Sequence, residues 1–293
     1  MTSPERARNA TIREPFEVLA PRAVETAAVL SERVKGRDAQ LRRSFLRRGR
    51  SEKPTPMMTM LRGGRGGEVR LKLYLSLLWI AVAPPHNVSY PARTWAALVG
   101  LADPPGRGAR RINDALRWLS ENDFVEVQGE KGVPPIVTVR SESGDGSRYS
   151  LPGSTIKRLQ LEGKPWNRHA YEKVPGQLWT NGWMAALDGP ALACLLVLRS
   201  VPPAVDAVFD VGAWFSPALL RERYDMSDDT RKRGMRRLNE LGIIKTESRV
   251  LGRTSADFQR SRTEYHLQAG VLAQSPFSTP SRPIDLGHDE ARL

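Results

Sequence analysis

Residues 115–127, ALRWLSENDFVEV, and residues 234–244, GMRRLNELGII, decide how this chain of 293 residues is read. Each run carries apolar residues at helical spacing, reaches a polar or glycine stop, and continues into adjacent large apolar residues. A shift of 119 residues places Leu116 on Met235, Leu119 on Leu238, Glu121 on Glu240, Phe124 on Ile243 and Val125 on Ile244. Internal self-similarity of this kind is a fold-level signal, because one supersecondary unit has been used twice. It is loose in side chains: Ile112 meets Arg231, and the turn ahead of the first run is the longer.

Working outward from the first run, Leu71, Tyr74, Leu75, Leu78 and Val82 form one apolar helical face, which Pro84 and Pro85 end. A second helix is expected from residues 89–91, with Ser89 as N-cap, carrying Trp95, Leu98, Val99 and Leu101. Residues 100–108 read as a turn and 107–121 as a third helix with Ile112, Ala115, Leu116 and Leu119 inward. Residues 124–128 and 136–140 read as strands, 141–147 as a turn, and 148–151 as the closing strand. The same order recurs. Asp188 caps an apolar helix running through Leu198, Ser216 and Pro217 start the next, and Ser227 caps a helix over 228–241. Gly242 fits the left-handed stop, followed by strands at 243–247 and 263–267 about a loop at 251–260. Both units are thus expected to end in a Tyr-x-Leu strand, at 149–151 and 265–267.

Helix, helix, turn, helix and a two-stranded wing is the order of a winged helix-turn-helix. The expected fold is mainly α with small β-wings (α+β), two such modules in tandem, at 67–151 and 183–268, each with its own core. A connector at 152–182 would separate them, with Trp166, Tyr171, Trp179 and Trp183 packing between the modules. Residues 1–66 read as a basic, largely flexible arm with one helix within 20–47, and 269–293 as a disordered tail. Between residues 33 and 72 stand 13 basic residues and 3 acidic ones, Arg42, Arg43, Arg47, Arg48 and Arg50 among them. The expectation for such an arm is that it lies along phosphates.

Net charge points the same way: 45 Lys and Arg against 32 Asp and Glu leave +13, which favours a polyanionic partner. The outward face of the first third helix holds Arg107, Arg110, Asp114 and Arg117, with Asn113 at its border. That of the second holds Asp229, Lys232, Arg233 and Arg236, flanked by Thr230 and Arg237. The major groove admits one helix, and an arginine fork bonds guanine O6 and N7 together. Lys131, Arg253, Arg260 and Arg262 are wing candidates for phosphate contacts.

Residues 115–127 resemble the recognition helix and first wing strand of winged-helix regulators, and residues 238–244 look like the same segment again. The pattern is similar to MarR-like bacterial regulators, and the tandem layout to plasmid replication initiators. The resemblance implies sequence-specific binding of double-stranded DNA that regulates transcription or, alternatively, marks an origin of replication. It also leaves open a homodimer, and an adaptor that uses winged helices to hold another protein.

An enzyme is not expected. Residues 63–67 are glycine-rich but lack the Lys-Ser or Lys-Thr of a phosphate loop, and His86, His169, His266 and His288 show no metal spacing. Asp206 and Asp210 form the nearest carboxylate pair, without supporting residues. No catalytic, metal or cofactor site follows. Cys194, the one cysteine, lies in an apolar run and reads as a small buried hydrophobe. With no signal segment and no apolar run long enough for a bilayer, a cytoplasmic protein away from membranes is expected.

Overall fold

A computed structural model describes residues 16–49, 53–62, 66–130, 132–201, 212–251 and 260–277. The chain is α+β, with small antiparallel sheets. It begins with α1 (Phe16–Val34), β1 (Ala39–Arg42), α2 (Arg43–Leu46) and α3 (Pro56–Leu61), the last capped by Thr55, whose Oγ1 accepts the Met58 N–H. Next comes α4 (Gly67–Ile80), buried on every side from Leu71 to Ile80. A helix buried on all sides belongs in the middle of a core, and α4 lies there with only Glu68 and Arg70, near its start, partly exposed.

There follow β2 (Asn87–Ser89), α5 (Ala92–Leu98), a π-helical turn at Pro104–Gly108, α6 (Ala109–Glu121), which packs on α4, β3 (Val125–Gln128) and β4 (Ile136–Val139). Ile112, Ala115, Leu116 and Leu119 of α6 are buried, and the strand order is β2-β4-β3. The chain continues through α7 (Pro152–Leu161), a 3₁₀ turn at Asn167–His169, β5 (Tyr171–Val174), α8 (Gln177–Thr180) and α9 (Trp183–Ala186). It then forms α10 (Gly189–Arg199), α11 (Pro217–Tyr224), α12 (Asp228–Glu240), β6 (Ile244–Leu251) and β7 (Arg260–Leu267).

Repetition is visible in the backbone. Moving 119 residues from Ala109 and Glu121, the bounds of α6, lands on Asp228 and Glu240, the bounds of α12. Both helices end the same way: Asp123 (φ 63°) and Gly242 (φ 68°) are left-handed. The next N–H, of Phe124 or Ile243, reaches back to Leu119 O or Leu238 O at 2.9 Å. This is the Schellman closure, which satisfies carbonyls a helix end otherwise leaves bare. In the first unit β2 adds to the returning strand β4, and in the second Ala213 bridges Tyr265 of the returning strand β7. The expected caps Asp188 and Ser227, and Ser216 at the expected helix start, each accept the N–H three residues on.

Several expectations are corrected. One continuous apolar cluster runs from Ala27 to Leu272, where two separate cores were expected. α4 packs on α10, and each also carries its own third helix, α6 on α4 and α12 on α10. The described part of residues 1–66 is no flexible arm: Leu30, Val34, Leu41, Phe45, Leu46, Met57 and Met60 are buried. The arginines between them are held by the body of the chain. Arg42 pairs with the buried Glu142 and donates to Ser150 O at 2.6 Å, Arg43 meets Glu172 at 2.6 Å, and Arg48 meets Asp225 at 2.6 Å. Counting arginines hid the apolar spacing beneath them. The connector is likewise built in: β5 pairs antiparallel with β1, and Trp179 stacks on Trp79 at 4.7 Å.

Trp179 and Trp183 are buried as packing residues, whereas Trp166 remains 37% exposed. Residues 269–277, expected to be disordered, open with a 3₁₀ turn, bury Leu272 and accept the Trp183 indole N–H at Gln274 O. The remainder of the tail lies outside the described residues. Residues 149–151 form no strand, because the returning strand β4 already pairs with β3 and the chain touches it only at the Arg140–Arg148 bridge. Ser89 ends β2 and bonds Pro134 O, so α5 starts without a side-chain cap.

Gly234 marks the closest approach of α12 to α10. A Cβ there would lie 2.5 Å from Cys194 Sγ and closer still to Pro190 O. Alanine gains about 1 kcal/mol over glycine inside a helix. Forcing side-chain atoms into a packed contact costs about 1–3 kcal/mol and more for larger residues. The contact wins, so Gly234→Leu is expected to lower stability by at least about 2 kcal/mol in urea unfolding, and Gly234→Ala not to raise it. Burial also pushes the Cys194 thiol up to about 12. A thiol reagent at pH 8 is therefore expected to leave the folded chain unmodified and to label it once unfolded in urea.

Candidate nucleic-acid interface

α6 and α12 owe their outward faces to the same arithmetic. Residues three and four apart share a face, so burying Ile112, Ala115, Leu116 and Leu119 turns the residues between them to solvent. Arg110, Asn113 and Arg117 are exposed on α6, and Arg107 is exposed on the π-helical turn before it. Lys232, Arg233 and Arg236 are exposed on α12, while Thr230 and Arg237 are half-buried.

Some of these cations have acidic neighbours on their own helix. Arg117 lies 3.3 Å from Asp114, Arg233 3.5 Å from Asp229, and Arg237 3.3 Å from Glu240. Arg107 lies 3.8 Å from Asp103, whose carboxylate also accepts the Arg107 N–H. Exposed pairs of this kind contribute about 0.2–1 kcal/mol, so an incoming anion can exchange with the carboxylate. Arg110, Lys232 and Arg236 have no acidic partner among the described residues.

The wing candidates fare differently. Lys131 and Arg253 lie outside the described residues, and Arg260 opens β7. Arg262 is no free cation: it meets the buried Glu264 at 2.7 Å and its guanidinium covers the Trp214 ring at 5.4 Å. Arg249 approaches the same carboxylate at 3.7 Å. Sequence reading missed this cluster, since Trp214 and Glu264 come together only when residue 213 bridges to β7. The two hairpins also present different chemistry. The first exposes Val127, Val133 and Ile136; the second carries Lys245 and Glu247, hydrogen-bonded at 2.8 Å. That bond raises the lysine's pKa and lowers the glutamate's, keeping both charged.

Among the described residues no group of three or more His, Cys, Asp or Glu side chains is placed to hold a metal ion, and no helix is long and apolar enough to cross a membrane. No known family model, curated protein or solved structure matches the chain.

The two kinds of cation are separable by stability. Glu264→Ala leaves Arg262 and Arg249 without their shared carboxylate and is expected to cost about 1–3 kcal/mol in denaturant unfolding. Lys232→Ala and Arg236→Ala, on the solvent face, are expected to stay within about 0.5 kcal/mol of the parent. An equal loss in both sets would mean that α12 is not a free surface.

Proposed function

We propose that the chain is a non-catalytic, sequence-specific binder of double-stranded DNA whose two three-helix-and-hairpin units are winged-helix modules, with regulation of transcription as the outcome. The observation that carries this reading is the pair of equivalent 13-residue helices, each seated on a buried first helix and each turning exposed cations outward. α6 and α12 would each enter a major groove. Arg110, Asn113, Arg117, Lys232, Arg233 and Arg236 would face bases or phosphates, and Thr230, Arg107 and Arg237 would flank them. A net charge of +13 supplies the attraction to phosphate that any such complex needs.

Packing adds a constraint on the DNA. α6 rests on α4, α4 on α10, and α10 on α12. With α4 and α10 packed together in one core, the two reading helices would keep one fixed separation and phase. The target is then a single composite site, not two half-sites of variable spacing. This departs from a beads-on-a-string arrangement joined by a loose connector.

Selection of bound duplexes from a random pool, followed by footprinting, tests the reading. Expected is one enriched motif in two parts, with Lys232→Ala and Arg236→Ala each weakening it by about 1–3 kcal/mol. Affinity is expected to fall steeply with salt as counterions are released. Inserting 5 base pairs between the parts, about half a helical turn, is expected to abolish tight binding, and about 10 to restore only part of it. Equal protection of shuffled DNA would remove the specificity. No retardation even at low salt would favour the protein adaptor.

A further inference from the structure

Between α7 and β5 the connector lies on the surface: every residue from Gln160 to Arg168 is exposed. α7 ends on the left-handed Gly163 (φ 65°), the Lys164 N–H reaches back to Leu159 O at 2.8 Å, and Pro165 bars further helix. The 3₁₀ turn at Asn167–His169 then brings the chain back. It is fixed there by the Arg43 N–H, which donates to Ala170 O at 2.9 Å.

This stretch is strongly cationic. Lys157, Arg158, Lys164 and Arg168 stand against one acid, Glu162, which Lys164 meets at 2.9 Å and Arg158 approaches at 3.8 Å. Glu172, on β5, is already taken by Arg43. The arginines converge on His169, whose Nε2 accepts from Arg168 Nε at 3.0 Å. Burial lowers the pKa of that ring, and the charges of Arg42, Arg168 and Arg158 lower it further. Within the same stretch two apolar side chains face water, Leu161 at 81% exposure and Trp166 at 37%. Trp179 and Trp183 are buried in the core, so Trp166 is the connector tryptophan that packing leaves unexplained.

We propose that this surface binds single-stranded nucleic acid, with Trp166 stacking on an unpaired base while Lys157, Arg158, Lys164 and Arg168 take the phosphates. A strand supplies both things the patch lacks, a run of negative charge and a flat apolar face. A duplex offers the phosphates but keeps its base faces stacked on one another, which leaves an exposed indole unrewarded. An anionic bilayer would reward side chains free to insert. Leu161 is free, but most of the Trp166 surface is covered, so its ring is held at the body of the chain as a platform. The site goes beyond the duplex reading and does not depend on it.

Fluorescence anisotropy of labelled oligothymidine and oligouridine, each of about ten nucleotides, titrated with the full chain tests it. Expected is saturable binding that Trp166→Ala weakens by about fivefold or more, with most of the loss recovered in Trp166→Phe, which keeps a ring. The tighter of the two strands names DNA or RNA as the source. Lys157→Gln with Arg168→Gln is expected to weaken binding by about tenfold, and the same charge loss elsewhere, Arg93→Gln with Lys245→Gln, by about twofold at most. The duplex of oligothymidine with its complement is expected not to respond to Trp166→Ala. Thermal unfolding checks each variant, and the Lys157→Gln, Arg168→Gln pair carries the test should Trp166→Ala fail to fold. Absent saturation, or equal weakening by the two charge pairs, overturns the proposal. So does an equal loss of duplex affinity in Trp166→Ala, which would make the patch a duplex contact. Sedimentation with phosphatidylglycerol–phosphatidylcholine vesicles that is lost in Leu161→Ala and Trp166→Ala would assign the patch to a membrane instead.

Discussion

The burial of two largely apolar helices against each other sets the rest of the structure. α4 is buried from Leu71 to Ile80 and α10 from Ala191 to Leu198, so neither three-helix unit can satisfy its first helix alone. Side by side they bury one another, and each still has a flank for its own third helix. Full burial of each Leu, Val or Trp in this centre contributes about 1.5–3 kcal/mol relative to exposure. A polar clasp fixes their alignment. Glu68 of α4 accepts the N–H of Gly189 at the start of α10 while meeting Lys72 at 2.7 Å. Burial acts to raise its carboxyl pKa, but Lys72 and the Gly189 N–H outweigh this and hold it below the usual range.

Around that centre the N-terminal segment works as a strap. It contributes β1 to a sheet with β5, Phe45 to a stack on Tyr74 at 5.7 Å, and Arg42, Arg43 and Arg48 to carboxylates elsewhere in the chain. Burial pushes the Glu142 carboxyl up despite the adjoining guanidinium of Arg42, so that pair is held by its neighbours as much as by its own attraction. Arg42 also covers the ring of Tyr149, which ties the strap to the segment that follows the first hairpin. Basic side chains that look like a phosphate-binding arm are here spent inside the protein.

What could be read from sequence was local. Ser216, Ser227 and Asp188 cap helices through the N–H three residues on, and the left-handed stop after α12 needs only Gly242. Third-helix faces follow from spacing alone, so the exposure of Arg110, Lys232 and Arg236 was legible. What escaped was pairing across long stretches of chain. β1 reads AQLR and β5 YEKV, four residues each, too short for alternation to mark a strand, and their pairing across 129 to 135 residues of chain is what makes them one. Arg262 looked like a phosphate contact because Glu264 and Trp214 enclose it only in three dimensions.

The strap has a consequence for how the protein is made. Arg48 emerges from the ribosome 177 residues ahead of Asp225, its partner in the folded chain. At about 5–20 residues per second, it waits roughly 9–35 s for that carboxylate to be synthesised. Through that interval the core that buries Leu41, Phe45 and Met57 lacks the second unit. Nascent chains would then carry an apolar, cationic segment in search of a surface, a natural substrate for chaperones. Phe45 can stack on Tyr74 once the first unit is made, and β1 can pair with β5 soon after, but Arg48 is satisfied only when the second unit is complete.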